Sequence, residues 1–498
     1  MDFKSLLHKP ATAAALSFLL PGLGQAAVGD RRRAAVIALP ALSLAAVALA
    51  AYLFARKDAT NALETGRWFL SLLIVDVLAL VYHLWAILDA YFGAQTAVSR
   101  RGRAARVAPK AGIAMVLVLV VASLGIHGYI ANVSVAGQNF FASVFNPNGA
   151  GFVQGTPNTT EPPLPSLQLP SPSGSSVLES FGYSLGNLPA FTGSSADWAA
   201  DGKANILLVG VDQGPGGGRS SGLRTDSMIL LQVDIATGRA AMFGIPRNII
   251  NIPLPPSIPD YNKCHCYPNL VDYLWTEAAD WHPQYYTAAY GTNRFLRGMY
   301  AVEGAVSELA GVKVDGSVVI DLPGFIAVVD ALGGIDITVP TELYDTKYPI
   351  LEHPGTMTID IKAGFQHMDG TVALEYARSR ESTDDYDRMK RQQLVLKAIR
   401  NQVHPCALLP KIPDLLTALG GALWTDLPQN DAGKFAALAE KVGSTNTASF
   451  TLAPATTGAQ YDVLDGPSLA KIRSIVAHGL DNVPAGIPGG GGGGGLSC

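Results

Sequence analysis

Apolar positions along this chain follow two patterns. In the first third they form long unbroken runs, and from about residue 200 they divide into strand-length and helix-length segments. Three runs, 34–54, 68–92 and 111–131, have the roughly 20 residues that a helix needs to cross a bilayer. An earlier run, 11–28, is shorter and is interrupted by Pro21-Gly22-Leu23-Gly24. That break predicts a re-entrant or interfacial hairpin, with a full span as the alternative. The run is a poor signal peptide, because no small-residue cleavage site precedes Arg31-Arg32-Arg33. Basic residues orient the spans. Arg31 to Arg33, and the cluster Arg100, Arg101, Arg103, Arg106 and Lys110, both belong on the cytoplasmic side, which sends the chain out of the cytoplasm after the third span. The expectation is a multi-pass cell-membrane protein with an extracytoplasmic C-terminal domain.

Residues 136–200 change character, with Pro-, Ser- and Gly-rich tracts that cannot bury enough apolar surface to order themselves, and they read as a tether. Residues 1–135 are then a membrane region, 201–482 one folded domain, and 483–498 a Gly-rich disordered tail. The domain opens on the strand-length run 205–212, followed by runs 227–235 and 239–245 joined at Ala236-Thr237-Gly238, a hairpin turn. Helical periodicity covers 292–310, with Thr292 or Asn293 placed to cap it and Gly311 just past its end. A strand at 317–321, a helix at 323–332 stopped by Gly333-Gly334, and a strand at 335–339 come next; further helices fall at 408–419, 430–442 and 468–478. Strands alternating with helices predict an α/β domain, a three-layer α/β/α sandwich around a mixed central sheet, preceded by a helical transmembrane region.

Composition changes this picture little. Hydrophobic residues make up 48% of 498 and charged residues 15%, the excess sitting in the N-terminal runs, and a net charge of -4 nominates neither nucleic acid nor another charged partner.

Candidate chemistry concentrates in 374–393, where Arg378, Arg380, Arg388 and Arg391 accompany Asp384, Asp385 and Asp387 between two buried helical ends. Arg378 and Arg380 close the first helix, while Arg388, Arg391 and Gln392 lie three and four apart on the second. Folded together, forked cations of this kind grip phosphate. The alternative is a solvated, salt-bridged helix face. Upstream, Asp212 ends the first strand, a Gly-rich loop at 214–222 leads to Arg224-Thr225-Asp226, and Arg247 follows the third strand. Asp212 and Asp226 suit one Mg²⁺, which takes few protein oxygens plus water and substrate phosphates; equally, both could be turn residues. Arg247 could instead be a surface cation.

In this order and spacing, the segments 205–212, 224–226, Ile245-Pro246-Arg247, 321–340 and 368–393 resemble the LytR-CpsA-Psr family of cell-wall glycopolymer ligases, over roughly 205–400. The resemblance implies Mg²⁺ held by Asp212 and Asp226. It implies a pyrophosphate-binding set of Arg224, Arg247, Arg378, Arg380, Arg388 and Gln392, with Asp385 either orienting an arginine or assisting the acceptor hydroxyl. It further implies transfer of a glycopolymer from a polyprenyl-pyrophosphate carrier to peptidoglycan. A non-catalytic carrier-binding regulator and a plain pyrophosphatase are the alternatives.

Three departures stand out. Asn248 occupies a position where the family commonly has Asp, 268–275 replaces the family's Lys-Ile-Asn segment, and Cys264-His265-Cys266 has no counterpart. The pair could be half a zinc site, but no fourth ligand is evident, and outside the cell a disulfide to Cys406 or Cys498 is the expectation, with three full pairings open to four cysteines; a Cys264 to Cys266 bridge would close a very small, strained ring.

Overall fold

The protein is described by a computed structural model covering residues 9–43, 67–100, 109–145, 201–212, 223–258, 264–351, 355–381, 383–403, 409–458 and 463–483. The loop 214–222, most of the tether, the end of the first apolar run, Cys406, Cys498 and the tail lie outside the described residues. The chain divides into two compact units, Met1–Asn139 and Phe140–Cys498.

In the first unit the broken run folds as a helical hairpin, α1 (Pro10–Leu19) and α2 (Leu23–Val28). Gly22 makes the turn at φ +98°, where a side chain would be strained, and a Cβ on Gly24 would lie 2.0 Å from the Ala13 carbonyl oxygen. The hairpin is too short to span. It docks through Gln25, whose amide accepts from Ser17 Oγ (2.9 Å) and donates to Asp89 (2.9 Å) on α3 (Arg67–Arg100). Helix α3 and α4 (Pro109–Val144) carry stretches long and apolar enough to cross a membrane, Phe69–Ala97 and Gly112–Val144. Most of their apolar side chains face outward, Leu78 at 65% and Val118 at 63% exposure, unlike the core helix of a soluble domain. Of the first expected span, 34–54, only the beginning is described, where residues 31–43 are helical.

The second unit is built on a six-stranded sheet. Its strands are β1 (Lys203–Asp212), β2 (Arg224–Asp234), β3 (Ala240–Ile245), β6 (Gly316–Asp321), β11 (Leu423–Thr425) and β12 (Thr447–Thr451), in spatial order β11-β6-β1-β2-β3-β12. Two small strands, β4 (Ile252–Pro253) and β5 (Cys266–Tyr267), pair outside it. Strand β6 runs parallel to β1 and β12 parallel to β3, while β2 is antiparallel to both its neighbours, so the sheet is mixed. One edge therefore collects the C-terminal ends of β1, β3, β6 and β12 and the N-terminal end of β2.

Alternate strand residues Leu207, Val209, Val211, Leu230, Phe243 and Ile245 face one buried layer. That layer contains helical turns at 271–281, α5 (Pro283–Tyr290), α6 (Arg294–Ala310) and, near the C-terminus, the helix Gly466–Ala477. Asn293 caps α6, accepting from the Leu296 amide at 3.1 Å. The opposite layer holds α7 (Leu322–Leu332), α8 (Gly370–Arg378) and α9 (Asp385–Gln402), packed with Ile335, Ile337 and Val339. Gly244 lets α9 lie close on β3, since a Cβ there would meet Met389 Cε at 3.0 Å. Further helices α10 (Ile412–Ala422), α11 (Ala432–Lys441) and α12 (Gly466–Ala477) match the expected C-terminal helices to within a few residues. The three-layer α/β/α architecture is thus as the alternation implies.

Strand β7 (Ile335–Val339) departs from the alternating series. Among the described residues it pairs only with β10 (Gly364–Met368), and its alternating buried and exposed positions leave one face in water. Between them β8 (Leu343–Pro349) and β9 (Thr356–Ile361) form a hairpin that the sequence did not announce.

The cysteine expectation is corrected. Cys264 is bonded to Cys266, not to Cys406 or Cys498. His265 between them adopts φ +49° and brings the two Cα atoms to 5.1 Å, within ordinary disulfide range.

Candidate active site

The β1–β2 pair is in regular register as far as Gly210 opposite Ser227, then shifts so that Val211 faces Thr225 and Asp212 faces Arg224. Asp226 is the extra residue. Such a bulge re-aims a side chain at the end of a ladder, and here it brings the Asp226 carboxylate to Arg247 Nη1 at 2.5 Å. Asp226 is therefore not a turn cap, and Arg247, 8% exposed, is not a surface cation. Burial raises the Asp226 carboxyl, but Arg247, Arg224 and Arg388 together outweigh it and hold it below the usual range.

Helices α8 and α9 bring the arginine run to the same edge. Arg378 at the end of α8 donates to Asp212 Oδ2 (2.9 Å) and to the Pro349 carbonyl (3.2 Å), with its guanidinium carbon 5.7 Å from the Tyr348 ring centre. Arg388 on α9 donates to the Asp226 carbonyl (3.0 Å) and to Asp385 Oδ2 (3.1 Å). Asp385 also faces Arg247 at 3.4 Å and Arg380 at 3.9 Å, so three guanidiniums surround it. Gln392 accepts from Ser227 Oγ (3.0 Å) and donates to the Ala377 carbonyl (3.3 Å), tying α9 to β2 and α8. With Arg388 3% and Arg391 7% exposed, the run is not a solvated helix face. Arg391 separates from the others: its guanidinium serves the Tyr376 and Ser379 carbonyls and Thr383 Oγ1.

Asp272 was not singled out from sequence. It sits in the segment that departs from the family pattern, is 0% exposed, and binds Arg224, while Tyr273 stacks beneath the same guanidinium at 4.2 Å. Arg247 Nη1 lies 3.9 Å from it. Burial pushes the Asp272 carboxyl up to about 6, against the pull of Arg224. Helical turns at 271–281 deliver it, anchored by Trp275, whose indole fills the space left by Gly298. An arginine-pairing acid in a segment with no clear periodicity carries no local signal.

All the residues nominated for the site, Asp212, Arg224, Asp226, Arg247, Arg378, Arg380, Asp385, Arg388 and Gln392, thus meet at one sheet edge. Five guanidiniums face four carboxylates. Arg224 Nε, Arg388 Nε and Asp272 Oδ1 are buried without a hydrogen-bond partner, which marks a polar site built for something further. Among the described residues no three acidic, His or Cys side chains converge as a metal cage. A groove of about 430 Å³ lined by Ser449, Phe450, Thr456, Ile475 and His478 shares no residue with this cluster.

Comparison with known proteins places residues 186–477 in register with the LytR_cpsA_psr family. The chain is 28% identical over 246 residues to Biofilm regulatory protein A of Streptococcus mutans, covering 47% of this chain and 53% of that protein. It is 25% identical over 238 residues to the regulatory protein MsrR of Staphylococcus aureus, covering 47% and 59%. The chain thus spans little more than half the length of either relative. The crystal structure of B. subtilis TagV is 20% identical with a TM-score of 0.40, covering 57% of this chain and 98% of that one.

Proposed function

The chain belongs to the LytR_cpsA_psr family, and on that premise we propose that it is a membrane-anchored phosphotransferase. It would move a glycosyl phosphate from a polyprenyl-pyrophosphate carrier to a hydroxyl of peptidoglycan, with the second unit on the extracytoplasmic side. The observation that carries this reading is the convergence of Arg224, Arg247, Arg378, Arg380 and Arg388 on the edge where β1 ends at Asp212 and β2 begins around Asp226. A site needing only to bind an anion has no use for two carboxylates among its cations. Each guanidinium is internally paired, so an incoming pyrophosphate exchanges carboxylate partners for phosphate oxygens instead of meeting bare charge.

Asp212 and Asp226 fit Mg²⁺, a hard ion that takes oxygen donors and keeps several positions for water and phosphate. When bound, the ion would supply charge neutralisation across the two phosphates. The chain's own residues do the rest. The acceptor hydroxyl attacks the glycan-side phosphorus, a new P–O bond forms to the acceptor oxygen, the bond to the bridging oxygen breaks, and polyprenyl phosphate departs. The hydroxyl proton passes to solvent or to a site carboxylate. Arg378 and Arg380 neutralise charge on the transferring and departing phosphates, where such cations lower the barrier most. Asp385, enclosed by three guanidiniums, orients them.

The test is to reconstitute the full chain with a polyprenyl-pyrophosphate oligosaccharide and peptidoglycan fragments, with and without Mg²⁺. Metal-dependent release of polyprenyl phosphate coupled to glycan on the peptidoglycan is expected, and loss of coupling in Asp226→Ala. Release without coupling would make the protein a pyrophosphatase; binding without release would make it a carrier-binding regulator.

A further inference from the structure

Arg378 ends α8 and Arg380 lies in the turn that follows, so the backbone of Ser379 to Glu381 decides where both guanidiniums point. Buried side chains hold this turn from two sides. Asp345 on β8, 3% exposed, accepts through Oδ2 from Ser379 Oγ at 2.6 Å and from the amides of Arg380 at 3.3 Å and Glu381 at 3.4 Å. Arg391 takes the opposite polarity, gripping the Tyr376 carbonyl at 2.8 Å, the Ser379 carbonyl and Thr383 Oγ1 at 3.0 Å. The clasp is reciprocal. Glu381 accepts from Thr346 Oγ1 at 2.7 Å and pairs with Lys347 at 3.0 Å, both neighbours of Asp345. The same strand supplies the Tyr348 ring and the Pro349 carbonyl to Arg378.

A carboxylate out of water with three donors on one oxygen is committed to them. We propose that Asp345 is a positioning residue for Arg378 and Arg380, acting on pyrophosphate through the backbone of the turn and never touching the substrate; the role assigned to those arginines rests on the transfer reading above. The β8–β9 hairpin then has a function: it carries the brace that sets the guanidiniums. Without Asp345 two turn amides lose their partner inside the protein, and the turn relaxes to find others. A shift of about 1 Å in a group that orients a reacting centre costs on the order of 100-fold in rate.

A double-mutant cycle separates positioning from general stability. Binding of inorganic pyrophosphate to the full chain in detergent is measured for the native protein, Asp345→Ala, Arg378→Ala with Arg380→Ala, and all three together. Asp345→Ala is expected to weaken binding about tenfold beside native arginines and less than about twofold once both are alanine, the signature of coupled sites. Equal losses in the two backgrounds, or no loss beside native arginines, overturn the proposal. Ser379→Ala removes the shortest bond and keeps Asp345 in place; it is expected to show the same dependence on the arginines, and it decides the matter if Asp345→Ala does not fold. Asp345→Asn, which retains an acceptor, is expected to recover most of the affinity. The transfer assay on the same proteins divides the two readings. Asp345-dependent pyrophosphate binding without any transfer defeats the transferase and leaves the positioning role standing. Native transfer that persists undiminished in Asp345→Ala defeats the positioning role alone.

Discussion

Arg380 is half-exposed, and its nearest acid, Asp385, is 3.9 Å away, so removing it disturbs little packing. Arg380→Ala is expected to leave the thermal unfolding midpoint unchanged while transfer falls on the order of 1,000-fold, the usual worth of an arginine at a transferring phosphate. Arg378→Ala should match it in activity but lower the midpoint, because it leaves buried Asp212 without that guanidinium. Retained transfer in either would remove the pair from the mechanism. Asp272 behaves differently. It is fully buried against Arg224, and breaking such a pair by deleting one partner costs about 3 kcal/mol or more. Asp272→Ala should therefore show a marked loss of stability in denaturant unfolding. An unchanged midpoint would mean that Arg224 finds another partner at no cost.

At the scale of elements, the α6 contact with the segment after β11 is a joint of acids. Glu303 on α6 is 0% exposed and faces Asp426, whose Oδ1 takes the Ser317 amide at 2.7 Å. Burial first, and the Asp426 charge second, push the Glu303 carboxyl well above its usual range. The direction of the pH effect follows. A carboxyl whose folded pKa lies above its unfolded value stabilises fully below the unfolded value, and that contribution is lost as pH rises toward and through the folded one. The midpoint should fall as pH rises above the ordinary carboxyl range, and Glu303→Gln, which cannot ionise, should flatten the fall. An equally steep fall in the variant would place the titrating group elsewhere.

For the whole molecule, two helices with outward-facing apolar side chains precede a unit whose proposed substrate is borne on a lipid. An anchor keeps such an enzyme where its donor lies. A chain lacking residues 1–145 is expected to leave the membrane fraction, while the full chain stays in it through an alkaline wash. A truncated chain that still sediments with membranes would show that the second unit has membrane affinity of its own.

What the sequence determined by itself were the features written in consecutive residues. Unbroken apolar runs declared the membrane region, continuous strand-length runs located β1 to β3, and Asn293 and Gly333 marked helix ends. The density of arginines at 374–393, with Asp212, Asp226 and Arg247, pointed to residues that the fold brings together. Only the tertiary structure decided which charges face each other. Asp272 and Asp345 stand 48 and 34 residues from the groups they hold, and no periodicity encodes a partner at that distance. The same holds for β7, whose short apolar pattern fits either sheet until β10 pairs with it, and for Cys264, whose bond to Cys266 depends on one left-handed residue between them. Local propensity and hydrophobic period act within a few residues, whereas charge pairing, strand pairing and the burial that makes both matter are settled only when distant segments close on one another.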